Sequence, residues 1–155
     1  MRVIYQRVSA ASVTVDGTLC GTIEKGAVLL VGIGPNDTEE ESRLLAKKCA
    51  ETRVFSDEND KMNLSVKDID GGFLVIPNFT LYGSCRHGRR PDFTGAGKPE
   101  MANALFERFK LHLQENDVPY IASGIFGADM KLDIQGDGPV TLILDSEDLK
   151  PNKKD

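Results

Sequence analysis

The spacing of apolar residues changes period several times along this chain, and each change marks an element. Val3 to Val8 alternates loosely and Ala11 to Val15 alternates again, which predicts half-buried strand in both stretches. Asp16-Gly17 is a two-residue hairpin signal, since such turns favour positive φ, and Thr18 to Ile23 reads as the returning strand. After a second turn at Glu24-Lys25-Gly26, Ala27 to Ile33 is apolar on both faces, as in a central strand. Gly34-Pro35-Asn36-Asp37 punctuates the chain, and a helix starts near Thr38. Thr38 and Glu41 have capping-box spacing, and Glu39, Glu40 and Glu41 suit the positive end of a helix dipole. Leu44, Leu45, Ala46 and Cys49 give this helix an inward stripe to about Arg53.

Asp57 to Asp60 is a polar turn, and Met62 to Val66 a short strand. Gly71-Gly72 opens the apolar strand Phe73-Leu74-Val75-Ile76, which Pro77 should end or bulge because it has no N–H to donate. Gly95, Gly97 and Pro99 flank a loop, with Pro99 suited to a helix N-terminus. Met101, Leu105, Phe106, Phe109 and Leu113 then keep helical spacing as far as Asn116. His112 falls off that stripe, which predicts a surface position. Tyr120 to Ser123 is a short strand, and Ala128, Met130, Leu132 and Ile134 alternate as a half-buried one. Gly136-Asp137-Gly138-Pro139 should turn the chain into a last strand, Val140 to Leu144. Residues 150–155 read as a disordered tail. The sum is a mixed sheet of many strands with two helices, without repeat or linker.

Composition narrows the class. A chain of 155 residues that is 40% hydrophobic fits one domain with a substantial core. A net charge of −5 argues against general coating of nucleic acid, so any RNA contact must be a local patch. Cys20, Cys49 and Cys85 form no CxxC pair, so neither a zinc site nor a disulfide framework is indicated. No apolar run approaches membrane-spanning length and residues 1–8 lack a signal-peptide core, so a cytosolic protein is expected.

The most informative chemistry lies at Pro77-Asn78-Phe79-Thr80-Leu81-Tyr82-Gly83. There a buried strand breaks into a loop carrying Arg86, His87, Arg89 and Arg90. An amide, an aromatic and a hydroxyl beside clustered positive charge suit a polar, anionic substrate. Three guanidinium groups there can grip phosphates, although a solvated basic loop would read the same way. Thr80, His87 and an aspartate can be written as a hydrolytic triad, but a histidine in a Gly/Arg-rich loop is ordinarily exposed. Cys85 is either a reactive thiol or an inert one. Gly32-Ile33-Gly34-Pro35 lacks the third glycine and the Gly-Lys-Ser/Thr ending, so both nucleotide fingerprints fail. Gly138-Pro139 sits where cis X-Pro bonds occur, and an ordinary loop fits it equally.

In combination these segments resemble the D-aminoacyl-tRNA deacylase family over nearly the whole chain. The resemblance rests on Gln6-Arg7-Val8, Ala11-Ser12-Val13, Phe55-Ser56-Asp57 and Lys61-Met62-Asn63-Leu64. It continues through Phe79-Thr80-Leu81, Arg90-Pro91-Asp92-Phe93, Phe126-Gly127-Ala128-Asp129-Met130 and Asp137-Gly138-Pro139-Val140-Thr141. It implies a single mixed α/β (α+β) domain over residues 1–149, with a largely antiparallel, curved sheet and two main helices. It also implies a homodimer with active sites at the interface. The substrate would be the ester joining a D-amino acid, or glycine on alanine tRNA, to the 3′ end of tRNA, with no metal, cofactor, membrane or DNA involved. Carried over by the resemblance, Pro77-Asn78-Phe79-Thr80 and Gly138-Pro139 form the pocket, the latter coming from the other subunit. Arg7 holds the Gly-Pro element, and Phe126 and Met130 line the pocket.

These residue types suit the task. A stiff carbonyl wall where an L-side chain must go excludes it, while a D-side chain or glycine passes. Main-chain N–H groups at Phe79 and Thr80 can stabilise an oxyanion, and the ribose 2′-hydroxyl can help activate water, so no side-chain nucleophile is required. Pro77-Asn78 departs from the family's usual Ser-Gln. A relaxed animal-type relative that accepts L-alanyl-tRNA also has proline there, whereas Phe79 and Arg7 match the D-specific enzyme. A module that binds the tRNA acceptor end without hydrolysis, and a Thr- or Cys-based hydrolase of small esters or amides, are the competing readings.

Overall fold

The computed structural model describes residues 1–151. Eight strands alternate with three helices: β1 (Arg2–Val15), β2 (Thr18–Ile23), β3 (Gly26–Gly32), α1 (Glu39–Glu51), β4 (Phe55–Ser56), β5 (Met62–Leu64), β6 (Gly72–Pro77), α2 (Pro99–Glu115), β7 (Tyr120–Ser123), β8 (Lys131–Asp145) and α3 (Ser146–Leu149). The main sheet runs β2-β1-β3-β6-β7, with β8 on the other side of β1, while β4 and β5 form a separate ribbon. The pairs of β1 with β2, β3 and β8 are antiparallel, and β3–β6 and β6–β7 are parallel. The architecture is therefore the mixed, curved sheet with two main helices that the sequence implies. No helix among the described residues is long and apolar enough to cross a membrane.

Each face of the sheet buries its own core. Val3, Tyr5, Leu29, Phe73 and Val75 pack under α1 and α2 against Leu45, Cys49, Phe106, Phe109 and Leu113. The opposite face curls on itself around Val8, Ala11, Val13, Val28, Leu74, Ile76 and Ala122. The curl brings β2 against β7, so that a Cβ at Gly21 would lie 3.2 Å from the Ala122 methyl. At Gly26 the approach of β6 is closer still, because a Cβ would sit 1.8 Å from the carbonyl oxygen of Gly72.

The two alternating stretches of the N-terminus are one strand. Val8 pairs with Gly136 and Ala10 with Gln135, so Ser9 is the extra residue of a β-bulge. The bulge resets the alternation. Val3 and Tyr5 face the helices, while Ala11 and Val13, also odd-numbered, face the curl. The same point is where β1 exchanges neighbours, from β3 (last pair Val8–Gly26) to β2 (Ala11–Ile23).

Other expectations are corrected. Gly136 to Pro139 does not reverse the chain, since both halves of β8 pair with β1 and the register jumps from Gln6–Thr141 to Val8–Gly136. Asp137, Gly138, Pro139 and Val140 therefore leave the ladder as an excursion from one strand. Ala128 and Met130 precede β8 instead of lying in it. His112 is 1% exposed, not a surface residue. The helix α1 packs across α2 while α2 rests on the sheet, which widens the buried face beyond the apolar stripe. His112 Nδ1 lies 2.9 Å from Glu115, and Nε2 stands 3.3 Å from Glu39 without hydrogen-bond alignment. Of the expected tail, Lys150 pairs with Glu41 and Glu147, and residues 152–155 lie outside the described residues.

The capping box that starts α1 is formed as expected. Glu41 accepts from the Thr38 amide at 2.7 Å and from its hydroxyl at 2.6 Å. Burial of Glu41 opposes ionisation, but the Thr38 bonds and Lys150 outweigh it and hold the carboxyl at about 2. A carboxyl depressed on folding stabilises the fold above its unfolded value of about 4.3 and loses that contribution as pH falls through its folded value. Glu41→Gln should therefore be less stable at neutral pH and show a shallower loss of stability between about pH 4.3 and about 2. Chemical denaturation across that range is the check, and parallel acid limbs would contradict the assignment.

Candidate active site

Strand β6 delivers the site. Pro77 pairs with Val31 at its last position, and the Asn78 amide donates to the Val31 carbonyl at 2.8 Å. On the other side β7 has already ended, with its last pair at Val75–Ser123 followed by Gly124 N–H to the Val75 carbonyl at 2.9 Å. The donor that Pro77 lacks thus has no strand to serve. Proline ends the strand as the sequence predicts.

Beyond it the chain enters a 3-10 helix over Phe79–Tyr82, which the sequence pattern does not signal. Arg2 anchors this turn from β1. Its guanidinium donates to the Leu81 carbonyl at 2.9 Å, binds Asp145 at 3.0 Å and stacks on the Tyr82 ring at 4.9 Å. Burial raises the Tyr82 hydroxyl well above the ordinary tyrosine value, with Asp37 and Asp145 adding to the effect, so it stays protonated. Phe79 and Thr80 open the turn, and their N–H groups have no intrahelical acceptor there. Neither donates to another backbone carbonyl among the described residues.

Two cavities flank Phe79. The larger, about 450 Å³, is lined by Pro77, Phe79, Phe93, Ala96, Gly97 and Phe126. The smaller, about 270 Å³, is bounded by Pro77, Asn78, Phe79, Gly127 and Met130. Phe79 is 56% exposed and stands between them, braced edge-on by Phe93 with ring centroids 5.3 Å apart. Met130 fills the room left by Gly124, whose Cβ would lie 2.6 Å from the Met130 sulfur. Phe93 has no pocket role in the sequence reading, although Arg90-Pro91-Asp92-Phe93 is one of the segments carrying the resemblance. Only its three-dimensional contact with Phe79 assigns it to the rim.

The triad does not assemble. Thr80 Oγ1 donates to Asn78 Oδ1, and no hydrogen bond joins Thr80 to His87 among the described residues. His87 lies in the exposed basic loop, and His112 is buried between the helices. No group of three or more His, Cys, Asp or Glu among the described residues could hold a metal ion.

Arg7, Gly138 and Pro139 are brought together elsewhere. The Arg7 guanidinium donates to the Asp137 carbonyl at 3.1 Å and to the Val54 carbonyl at 2.6 Å, and it lies 3.4 Å from the Asp137 carboxylate. The Gly138-Pro139 bond is cis, and Gly138 has φ +132°, a conformation L-residues rarely adopt. Both residues are exposed, and neither lines the cavities beside Phe79 in this chain.

A family model described as D-Tyr-tRNA(Tyr) deacylase matches residues 4–145, a span that includes both halves of this arrangement. The chain belongs to that family. It is 50% identical over 147 residues to a D-aminoacyl-tRNA deacylase of Halalkalibacterium halodurans, covering 95% of this chain and 100% of the relative. A D-aminoacyl-tRNA deacylase of Thermus aquaticus is 47% identical over 153 residues, covering 99% and 100%. Among solved structures, one named c-Myc DNA Unwinding Element Binding Protein superposes with a TM-score of 0.88 at 37% identity, covering 94% of this chain and 98% of the other. A probable eukaryotic D-amino acid tRNA deacylase superposes with a TM-score of 0.78 over 92% and 97% of the two chains. At 18% identity it shows a shared fold.

The rim is sensitive to added volume. A methyl at Gly83 would lie 2.8 Å from the Phe93 ring and 3.0 Å from the Thr80 carbonyl. Gly83→Ala should therefore destabilise the fold by about 1–3 kcal/mol and displace Phe93, read from denaturation midpoints and near-ultraviolet circular dichroism. Unchanged values in both measurements would contradict the packing described.

Proposed function

We propose that this chain is a D-aminoacyl-tRNA deacylase, which adds water across the ester joining a D-amino acid to the terminal ribose of tRNA and releases the free acid and the tRNA hydroxyl. Glycine mischarged on alanine tRNA is also a substrate. The observation that carries this reading is 47% identity over 99% of the chain to a D-aminoacyl-tRNA deacylase. Charged tRNA is used in the cytosol, and that is where the enzyme would act.

In the proposed mechanism the N–H groups of Phe79 and Thr80 receive the oxyanion of the tetrahedral intermediate, and the ribose 2′-hydroxyl helps activate water. The reading is supported by the lack of a backbone acceptor for those N–H groups among the described residues and by the Thr80 hydroxyl's bond to Asn78. Asn78 orients the turn, while Pro77, Phe126 and Met130 shape the amino-acid pocket.

Gly138 and Pro139 of a second copy complete each site and block an L-side chain with their carbonyl groups. The geometry of one chain favours this arrangement. Arg2, which holds the 3-10 helix, and Arg7, which holds the excursion, stand five residues apart on β1, roughly 17 Å along the strand. The excursion is exposed and available to a partner surface, and the cavities beside Phe79 are open. The partner is an RNA end and not DNA, because the ester and its 2′-hydroxyl belong to ribose. A second reading is binding of the tRNA acceptor end without turnover, with Pro77-Asn78 as the change that would have cost hydrolysis; the 37% identical structure is itself named for binding a DNA element.

Matched D-, L- and glycyl-tRNA substrates decide between these readings. Release from the D- and glycyl species with the L-species spared is expected. Equal cleavage of both enantiomers would remove the chirality claim, and binding without turnover would favour the second reading. In the same assay Thr80→Ala should stay within about tenfold of the wild type. A loss approaching the ~10⁶-fold typical of a deleted nucleophile would restore the triad.

Subunit mixing tests the shared site. Phe79→Pro, which removes that main-chain N–H at the first position of the 3-10 helix, and Gly138→Ala should each be nearly inactive alone. Random reassociation of the two should recover about one quarter of wild-type activity, since half the dimers then hold one intact site of two. No recovery in a mixture shown to have exchanged subunits would place both elements in one chain's site.

A further inference from the structure

We propose that the loop between Ser84 and Asp92 is a phosphate-gripping subsite for the RNA strand leading into the pocket, with Arg86, Arg89 and Arg90 as its gripping groups. This rests on the proposed deacylase reading for the identity of the strand and adds to it a second contact region, outside the amino-acid pocket.

Charge is the first support. Arg2, Arg7, Arg43 and Arg108 each form an ion pair with a carboxylate, but no ion pair joins Arg86, Arg89 or Arg90 to an acid among the described residues. The carboxylate at the foot of the loop, Asp92, accepts from the Thr94 amide at 2.8 Å. Three uncompensated guanidinium groups within five residues make a local positive field on a chain whose net charge is −5. Their planar forks match phosphate oxygens two at a time.

Geometry is the second. Reciprocal backbone bonds of 2.7 and 2.8 Å between Ser84 and Asp92 close the base of the loop. The residue after this closure is Phe93, which braces Phe79, and the one before it is Gly83, wedged against the Phe93 ring. Both feet of the loop therefore stand on the pocket rim. At the tip, Gly88 has φ +69° with no atom near its missing side chain, which sends the chain back toward the rim. Arg86 then lies on one limb and Arg89 and Arg90 on the other, all exposed. A strand whose terminal ribose enters beside Phe79 and leaves over the Phe93 side of the rim carries its last phosphodiesters past this loop.

The test compares two substrates that share the ester and differ in phosphates: D-aminoacyl-tRNA and D-aminoacyl-adenosine. The triple variant Arg86→Gln, Arg89→Gln, Arg90→Gln should raise KM for the tRNA substrate at least about tenfold at physiological salt, with kcat nearly unchanged. Its kcat/KM on the adenosine ester should match the wild type. The slope of log(kcat/KM) against log[salt] for tRNA should fall by about 2, at roughly 0.7 per phosphate contact on a single strand. The corresponding triple lysine variant should restore much of the salt dependence. Equal effects on both substrates, or no effect on either, would overturn the proposal. Binding of an uncharged RNA hairpin ending in CCA, followed by fluorescence anisotropy, provides a readout without hydrolysis. If wild-type protein cleaves neither ester, the deacylase reading fails, while weaker hairpin binding by the triple variant still supports the loop and unchanged binding still rejects it.

Discussion

The ladder between β1 and β8 is the constraint on which the rest of this molecule depends. β1 is bonded along one edge to β3 and then β2, and along the other to β8 over nearly its full length. It therefore fixes the register of the sheet and carries the two arginines that bond the 3-10 helix and the β8 excursion. Arg2, near its start, holds the 3-10 helix that presents Phe79 and Thr80. Arg7 stands where β8 leaves the ladder and holds the excursion that carries Gly138 and Pro139. One strand thus sets these two elements at a fixed separation, each tied to it by an arginine.

Much of this was legible in the chain. Thr38 and Glu41 announced the start of α1, Asp16-Gly17 the first hairpin, and Pro77 the end of β6, because each signal is a local bond made or forbidden. What stayed hidden was settled by partners distant in sequence. The Gly136-to-Pro139 run has the composition of a reversal, and only its shared partner β1 shows that the strand resumes in the same direction. His112 lies off the apolar stripe of α2, but the stripe describes one packing face, and α2 has two. Phe93 is unremarkable among its sequence neighbours and gains its place at the rim through the ring of Phe79.

The tempting nucleophile illustrates how a site can mislead when read from residue types. Thr80 offers a hydroxyl and His87 an imidazole seven positions on, yet the hydroxyl is bonded to Asn78 and the imidazole stands in an exposed loop. The main-chain N–H of Thr80, by contrast, has no backbone acceptor among the described residues. Pro77 and Asn78 fit this arrangement, because proline falls where the neighbouring strand has ended and the asparagine amide oxygen reaches the threonine hydroxyl.

The bulge at Ser9 has a consequence for how such a chain can change. It acts as a phase shifter, letting one strand point the same parity of residue at two different cores. A single-residue insertion or deletion in either half of β1 would swap buried for exposed positions over the remainder of that half. It would also slip Arg2 or Arg7 away from the element each secures. Length variation in this strand is thus confined to even steps or to the bulge itself, whereas Asp16-Gly17 and the tip at Gly88 can lengthen without disturbing either core.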